Sequence, residues 1–243
     1  MPSLKAIEDE LDAARYAEFV EQANEVLVPT ISGLQERDPE SVPRIYRESY
    51  RLIFFLAIPT FSFLVVVSPL VSRVWIGTYE PTFVRFVALL AAGWLVNVLS
   101  NPAYVVHLGT GALRSVSIGC VSTAVLNFVL GIILGRHWRG TAVVAASVAS
   151  LILGYLVVVV SHHLESGAPF GLLLPKESIG IALSSLVGAL VLLPFFCSGP
   201  AYSLFSLRDS AGLLAMLLMI LIPMWIHPLR KRLVRWVVSS LPA

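Results

Sequence analysis

Apolar residues in this chain fall in long unbroken blocks, unlike the strict alternation of a half-buried strand or the one-sided stripe of a surface helix. Six blocks approach or exceed the roughly 20 residues that a helix needs to cross about 30 Å of hydrocarbon. Leu52 to Ser72 holds no charge, and Phe86 to Leu113 holds only His107 as an ionisable group. Ser115 to Gly135 and Thr141 to Ser161 are separated by Arg136-His137-Trp138-Arg139, which predicts a tight helical hairpin. Ser178 to Leu207 is uncharged, with a helix expected to about Cys197 and a Ser-Gly-Pro turn after it; Ser210 to Ile226 makes the last block. None of the six contains a carboxylate.

Helices are required, because backbone exposed to lipid must satisfy its own hydrogen bonds and the blocks are about twice as long as barrel strands. The expected fold is therefore an all-α polytopic membrane protein with six transmembrane helices. Pro59, Pro194 and Pro223 lie inside blocks and predict kinks, which a membrane bundle tolerates because neighbouring groups take up the freed carbonyl. Gly131 with Gly135, Ala145 with Ala149, and Gly180 with Ser184 and Gly188 have the spacing of close-packing helix faces. Composition agrees: 57% of the residues are hydrophobic and 13% charged, against about 45–50% and 25% in soluble domains, and the mean hydropathy is +0.83.

The amino-terminal stretch differs. Ile7 to Leu34 carries Glu8, Asp9, Glu10, Asp12, Arg15, Glu18, Glu21 and Glu25, too many charges to cross lipid unaided at roughly 3 kcal/mol each. Ala14, Ala17, Val20, Asn24 and Val28 trace a helical spacing, so an amphipathic surface helix is expected, ended by Pro29, Gly33 and Asp38-Pro39. It lacks the basic start and apolar core of a signal peptide. Arg37, Arg44, Arg47, Arg51, Arg114, Lys176, Arg230, Lys231, Arg232 and Arg235 fall on one side of the six blocks, against Arg73, Arg85, Arg136, Arg139 and Arg208 on the other. The positive-inside rule then places the Arg37 region and the carboxyl terminus in the cytoplasm. The basic segment Leu229 to Val238, with Trp236, reads as an anchor to anionic membrane lipids rather than a nucleic-acid arm.

Polar residues inside the blocks are the candidate chemistry. Asn97, Asn101, Tyr104 and His107 lie on one block and Ser117, Ser122, Thr123 and Asn127 on the next. They are candidates for lining a polar cavity, or for bonds between helices. His107 is a functional candidate as an intramembrane ionisable group, placed near a helix end where wetting is easy. His162 and His163 are adjacent and have no carboxylate or cysteine cluster beside them, so no metal site is expected. Cys120 and Cys197 read as small buried hydrophobes. Neither a Walker loop nor a Gly-rich strand-to-helix turn occurs, so no cofactor and no enzymatic reaction are predicted.

The run Val28-Pro29-Thr30-Ile31-Ser32, the link Glu36-Arg37-Asp38-Pro39-Glu40, and Tyr46-Arg47-Glu48-Ser49-Tyr50-Arg51-Leu52 leading to Ala57-Ile58-Pro59 resemble the second half of Wzx-type polysaccharide transporters, members of the superfamily that includes MATE exporters. Val74-Trp75-Ile76-Gly77, Ser100-Asn101-Pro102-Ala103-Tyr104 and Leu108-Gly109-Thr110-Gly111 extend the resemblance, which covers about residues 16 to 165. It implies a carboxy-terminal lobe divided into residues 1–35 (amphipathic helix), 36–165 (four-span core) and 166–243 (two further spans and a basic tail). It departs from the family at Glu18, Glu21 and Glu25, where the matching helix is usually more apolar.

The resemblance implies export of a lipid-linked oligosaccharide across the cell membrane, with no first lobe in this chain, so that a first-lobe chain or a second copy becomes an expected partner. Arg47, Arg51 and Arg114, at helix ends, are then candidates for pairing with the substrate's phosphates, beside an ordinary role in snorkelling and topology. Asn97, Asn101, Tyr104 and Asn127 complete the candidate substrate contacts. A drug exporter of the same superfamily would need carboxylates within the membrane, which the six blocks lack. A membrane assembly subunit without transport is the alternative from another class.

Overall fold

The structure, a computed structural model, describes residues 28–198 and 206–230. The expected amphipathic helix before residue 28, the Ser-Gly-Pro turn and the basic tail beyond Arg230 lie largely outside them. The described residues are almost all helical and include no strand: α1 (28–37), α2 (Ser41–Ile76), α3 (Pro81–Gly109), α4 (Leu113–Ser166), α5 (Ile179–Cys197) and α6 (Leu207–Ile226). Six segments are long and apolar enough to cross a membrane: α2, α3, Leu113–Arg136, Gly140–Ser166, Phe170–Cys197 and α6.

The 54 residues of α4 carry helical backbone without an assigned break and would measure about 80 Å if straight. They cannot be straight. Ser115 bonds Glu165, Asn127 bonds Ser147, and Gly119 meets Gly154, so the chain reverses between Arg136 and Gly140 into two antiparallel arms. This is the expected hairpin. Its closest approach is the glycine pair: a Cβ on Gly154 would lie 2.8 Å from the Gly119 carbonyl oxygen and would overlap Thr123 Oγ1. The Gly131 and Gly180 positions have no neighbour within 4 Å of an added Cβ, whereas a Cβ on Gly188 of α5 would meet Met216 Sδ of α6 at 3.0 Å.

Helix α2 is shared by two larger cores and a small third one in which its Phe55 meets Ile181 and Leu229. Tyr46, Tyr50 and Phe54 at its start pack with Ile31, Ala103, Val106, Val158 and Val159 from α1, α3 and α4. Val66 and Leu70 further along pack with Leu192 and Phe196 of α5 and Met216 and Ile220 of α6. The α5–α6 pair meets the rest mainly through α2. Gly77, in the left-handed region at φ 86°, ends α2, a conformation that side chains bearing a Cβ resist. Glu80 and Pro81 then start α3, with the Glu80 carboxylate accepting from Thr82 N at 3.0 Å. That bond holds the Glu80 carboxyl below its usual range.

The helices run beyond the apolar blocks. Helix α2 begins at Ser41 rather than Leu52, and the second arm of α4 continues to Ser166. Glu48, Glu165 and Asp209 are thereby inside helices although they lie outside the apolar blocks. The blocks mark hydrocarbon contact, while the backbone stays helical into the polar layers. The expectation for Cys120 is corrected: it is exposed on the outer side of the first arm of α4, not buried.

Candidate functional site

The antiparallel order gathers the start of α2, the ends of α3 and α4, the start of α5 and the end of α6 at one end of the bundle. Here three histidines meet one tyrosine. Tyr46 Oη lies 2.9 Å from His163 Nε2, whose Nδ1 lies 3.0 Å from the Ala168 carbonyl. An imidazole nitrogen facing a carbonyl must be the donor, so Nδ1 carries the proton, Nε2 is the acceptor and Tyr46 donates. The His162 ring packs on Tyr46 with centroids 4.3 Å apart, and the His107 ring meets His162 edge-on at 5.4 Å. Adjacent histidines do point in different directions, but Tyr46 lies where both rings reach it.

His107 is 2% exposed, so the expected wetting near the helix end is corrected: the ring is enclosed. Its Nε2 has no hydrogen-bond partner among the described residues. Its Nδ1 lies 3.8 Å from Glu165 Oε2, while Glu165 Oε1 accepts from Ser115 Oγ at 2.7 Å. Gly167, in the left-handed region at φ 65°, turns the chain out of α4 and over the cluster. Among the described residues no three histidine, cysteine or acidic side chains are placed to hold a metal ion.

An open cleft of about 570 Å³ lies against this cluster, lined by Gln35, Arg47, His107, His162 and Glu165 on polar walls and by Val42, Val106 and Leu172 on apolar ones. Arg47 is exposed and makes no ion pair with the described residues. A second cleft of about 260 Å³, lined by Ile31, Ser49 and Asn101, shares the Tyr46 wall.

The sequence candidates separate into distinct places. Arg47 and Asn101 line these two clefts, and Tyr104 packs against the core around Tyr46. Arg51 is 3.0 Å from Glu177 and 3.5 Å from Glu48, so its charge is already matched. Arg114 is exposed at the start of α4, and Asn97 lies deeper along α3, half-buried. Asn127 accepts from Ser147 Oγ at 3.1 Å across the hairpin, the bond between helices that was the other reading of this residue.

At the opposite end Arg73 and Asp209 form an ion pair, each side chain 2% exposed, with N–O distances of 3.3 and 3.4 Å. Arg73 also donates to the Phe196 carbonyl at 3.1 Å, and Asp209 closes a capping box with Ser206. The pair ties α2 to the end of α5 and the start of α6. Asp209 is thus a buried carboxylate whose charge is matched by Arg73. Back at the histidine end, the Ser178 hydroxyl lies 3.1 Å from His227 Nε2, and His227 Nδ1 accepts from Leu229 N at 3.3 Å. Burial pushes the His227 imidazole below its ordinary 6.5.

Fold and surroundings define a multi-pass α-helical membrane protein. Comparison with protein-family models, curated proteins and solved structures found no match.

Proposed function

We propose that this chain is one lobe of an exporter that moves a lipid-linked oligosaccharide from the cytoplasmic to the outer leaflet of the cell membrane, working with a first-lobe chain or a second copy. The observation that carries the reading is the open cleft at the arginine-rich end, where Arg47, without an ion pair among the described residues, and the side chains of Tyr46, His107 and His162 adjoin apolar walls. An amphiphile with a charged head needs both kinds of surface, because its head cannot cross hydrocarbon bare. In this reading the arginine-rich end and the carboxyl terminus are cytoplasmic, following the positive-inside bias. External labelling of a cysteine placed at the exposed Arg114 position, in a background without the native cysteines, would overturn that orientation.

Transport is tested with a fluorescent lipid-linked oligosaccharide in liposomes containing the purified chain, alone and with a matching first-lobe chain. Flipping above the protein-free control in either condition is expected, with Arg47→Gln reducing it about tenfold, the worth of one charge-assisted contact. No flipping in both conditions overturns the reading. A membrane assembly subunit without transport is the second reading. It is favoured by the dispersal of the candidates: Arg51 is engaged by Glu177 and Asn127 by Ser147, away from the cleft.

A further inference from the structure

The cleft beside His107 carries opposite charges on its walls. Arg47 is an exposed guanidinium without an ion pair among the described residues, and Glu165 is a carboxylate 53% exposed, and both line the same space. Between them, His107 is enclosed and its Nε2 lacks a hydrogen-bond partner among the described residues. A buried polar atom left unpaired costs free energy, so the enclosed, unpaired Nε2 of a residue that lines the cleft points to a ligand. Ser115 donates to one oxygen of Glu165, and the other lies 3.8 Å from His107 Nδ1, beyond hydrogen-bond distance.

Depth in the bilayer narrows the ligand. Trp75, 81% exposed at the far end of α2, has the amphipathic ring usual at a membrane interface. Tyr46 lies about 44 Å back along the same helix at 1.5 Å per residue, close to the roughly 40–45 Å thickness of a bilayer with both head-group layers. The cleft is therefore level with the lipid head groups of the other leaflet, and Val42, Val106 and Leu172 give it apolar walls. Its volume of about 570 Å³ falls within the roughly 300–1,000 Å³ of small-ligand sites. A simple anion would face Glu165 and a simple cation would face Arg47, whereas a zwitterion satisfies both.

We propose that this cleft binds the head group of an aminophospholipid, with Arg47 and His107 taking the phosphodiester and Glu165 taking the primary ammonium. The lipid is a resident of the fold and would occupy the same cleft, on Arg47 and His107, that the transport reading assigns to the substrate head group. Arg47 gives paired N–H donors matched to phosphate oxygens, and His107 Nε2–H completes the contact. A quaternary ammonium lacks the N–H donors that Glu165 requires, so phosphatidylcholine is discriminated against.

The test is native mass spectrometry of the delipidated full chain in detergent, offered equal amounts of phosphatidylethanolamine, phosphatidylglycerol and phosphatidylcholine. Phosphatidylethanolamine is expected to be retained about tenfold more than either of the others, as one charge-assisted contact implies. Glu165→Gln should bring its retention down to that of phosphatidylglycerol, while Arg47→Gln and His107→Asn should lower both. Arg51→Gln, a cation already paired with Glu177, should change neither, and helical circular dichroism identifies variants that have folded. Should a variant fail to fold, Arg47→Lys, which keeps the charge and loses the paired geometry, is expected to give intermediate retention. Equal retention of phosphatidylethanolamine and phosphatidylglycerol by the native chain would overturn the ammonium site and leave a phosphate site open to a transported substrate. Unchanged selectivity in Glu165→Gln would overturn the proposal as well.

Discussion

Single atoms decide several properties of this molecule. Gly154 has room for a hydrogen and nothing larger, since a methyl there meets the Gly119 carbonyl oxygen at 2.8 Å. Gly154→Ala should destabilise the protein by about 1–3 kcal/mol, the usual cost of overpacking, read as a lower melting temperature in detergent. Gly131→Ala, with open space around it, should be nearly silent in the same measurement. The sequence singled out Gly131 by its spacing and passed over Gly154, because the partner of Gly154 is on the other arm and no local motif records that. His227 adds a dependence on pH. Its depressed value favours the neutral ring in the folded state, so its contribution is fully present above about 6.5 and is lost as pH falls through the folded value. Acidification from pH 8 to pH 5 should therefore lower the melting temperature of the native protein more than that of His227→Gln.

At the scale of elements, the number and hairpin arrangement of the spans were legible, because a run of apolar residues long enough to cross lipid has few other uses. Their ends were not. Nothing in composition distinguishes a helix that continues past the hydrocarbon from a loop, so Ser41 to Arg51 and His162 to Ser166 read as connections. They hold Tyr46, His162, His163 and Glu165; the two histidines drew attention only as an unsuitable metal site, while His107 was visible within its apolar block. Arg73 was seen only as a flanking charge and Asp209 not at all, although they form the tie between α2 and the α5–α6 pair. Arg73→Met should cost about 3–5 kcal/mol by leaving Asp209 buried and unpaired. Adding Asp209→Asn should restore much of that loss, as read by thermal unfolding of the single and double variants.

For the whole molecule, the two larger cores strung along α2 mean that its two ends are organised separately: histidines, Tyr46 and an open cleft at one, a closed ion pair at the other. The resemblance to polysaccharide exporters rests on loose motifs, and its candidate arginines and asparagines are dispersed, which is why flipping in liposomes carries the weight of the transport reading. The hairpin of α4 bears on biogenesis. Only three residues separate Arg136 from Gly140, and the Gly119–Gly154 contact forms between arms that run in opposite directions. During synthesis the first arm gains its main neighbour only when the second arm has emerged from the ribosome. The two arms are thus expected to leave the translocon for the lipid together, as one inserted unit, rather than in succession.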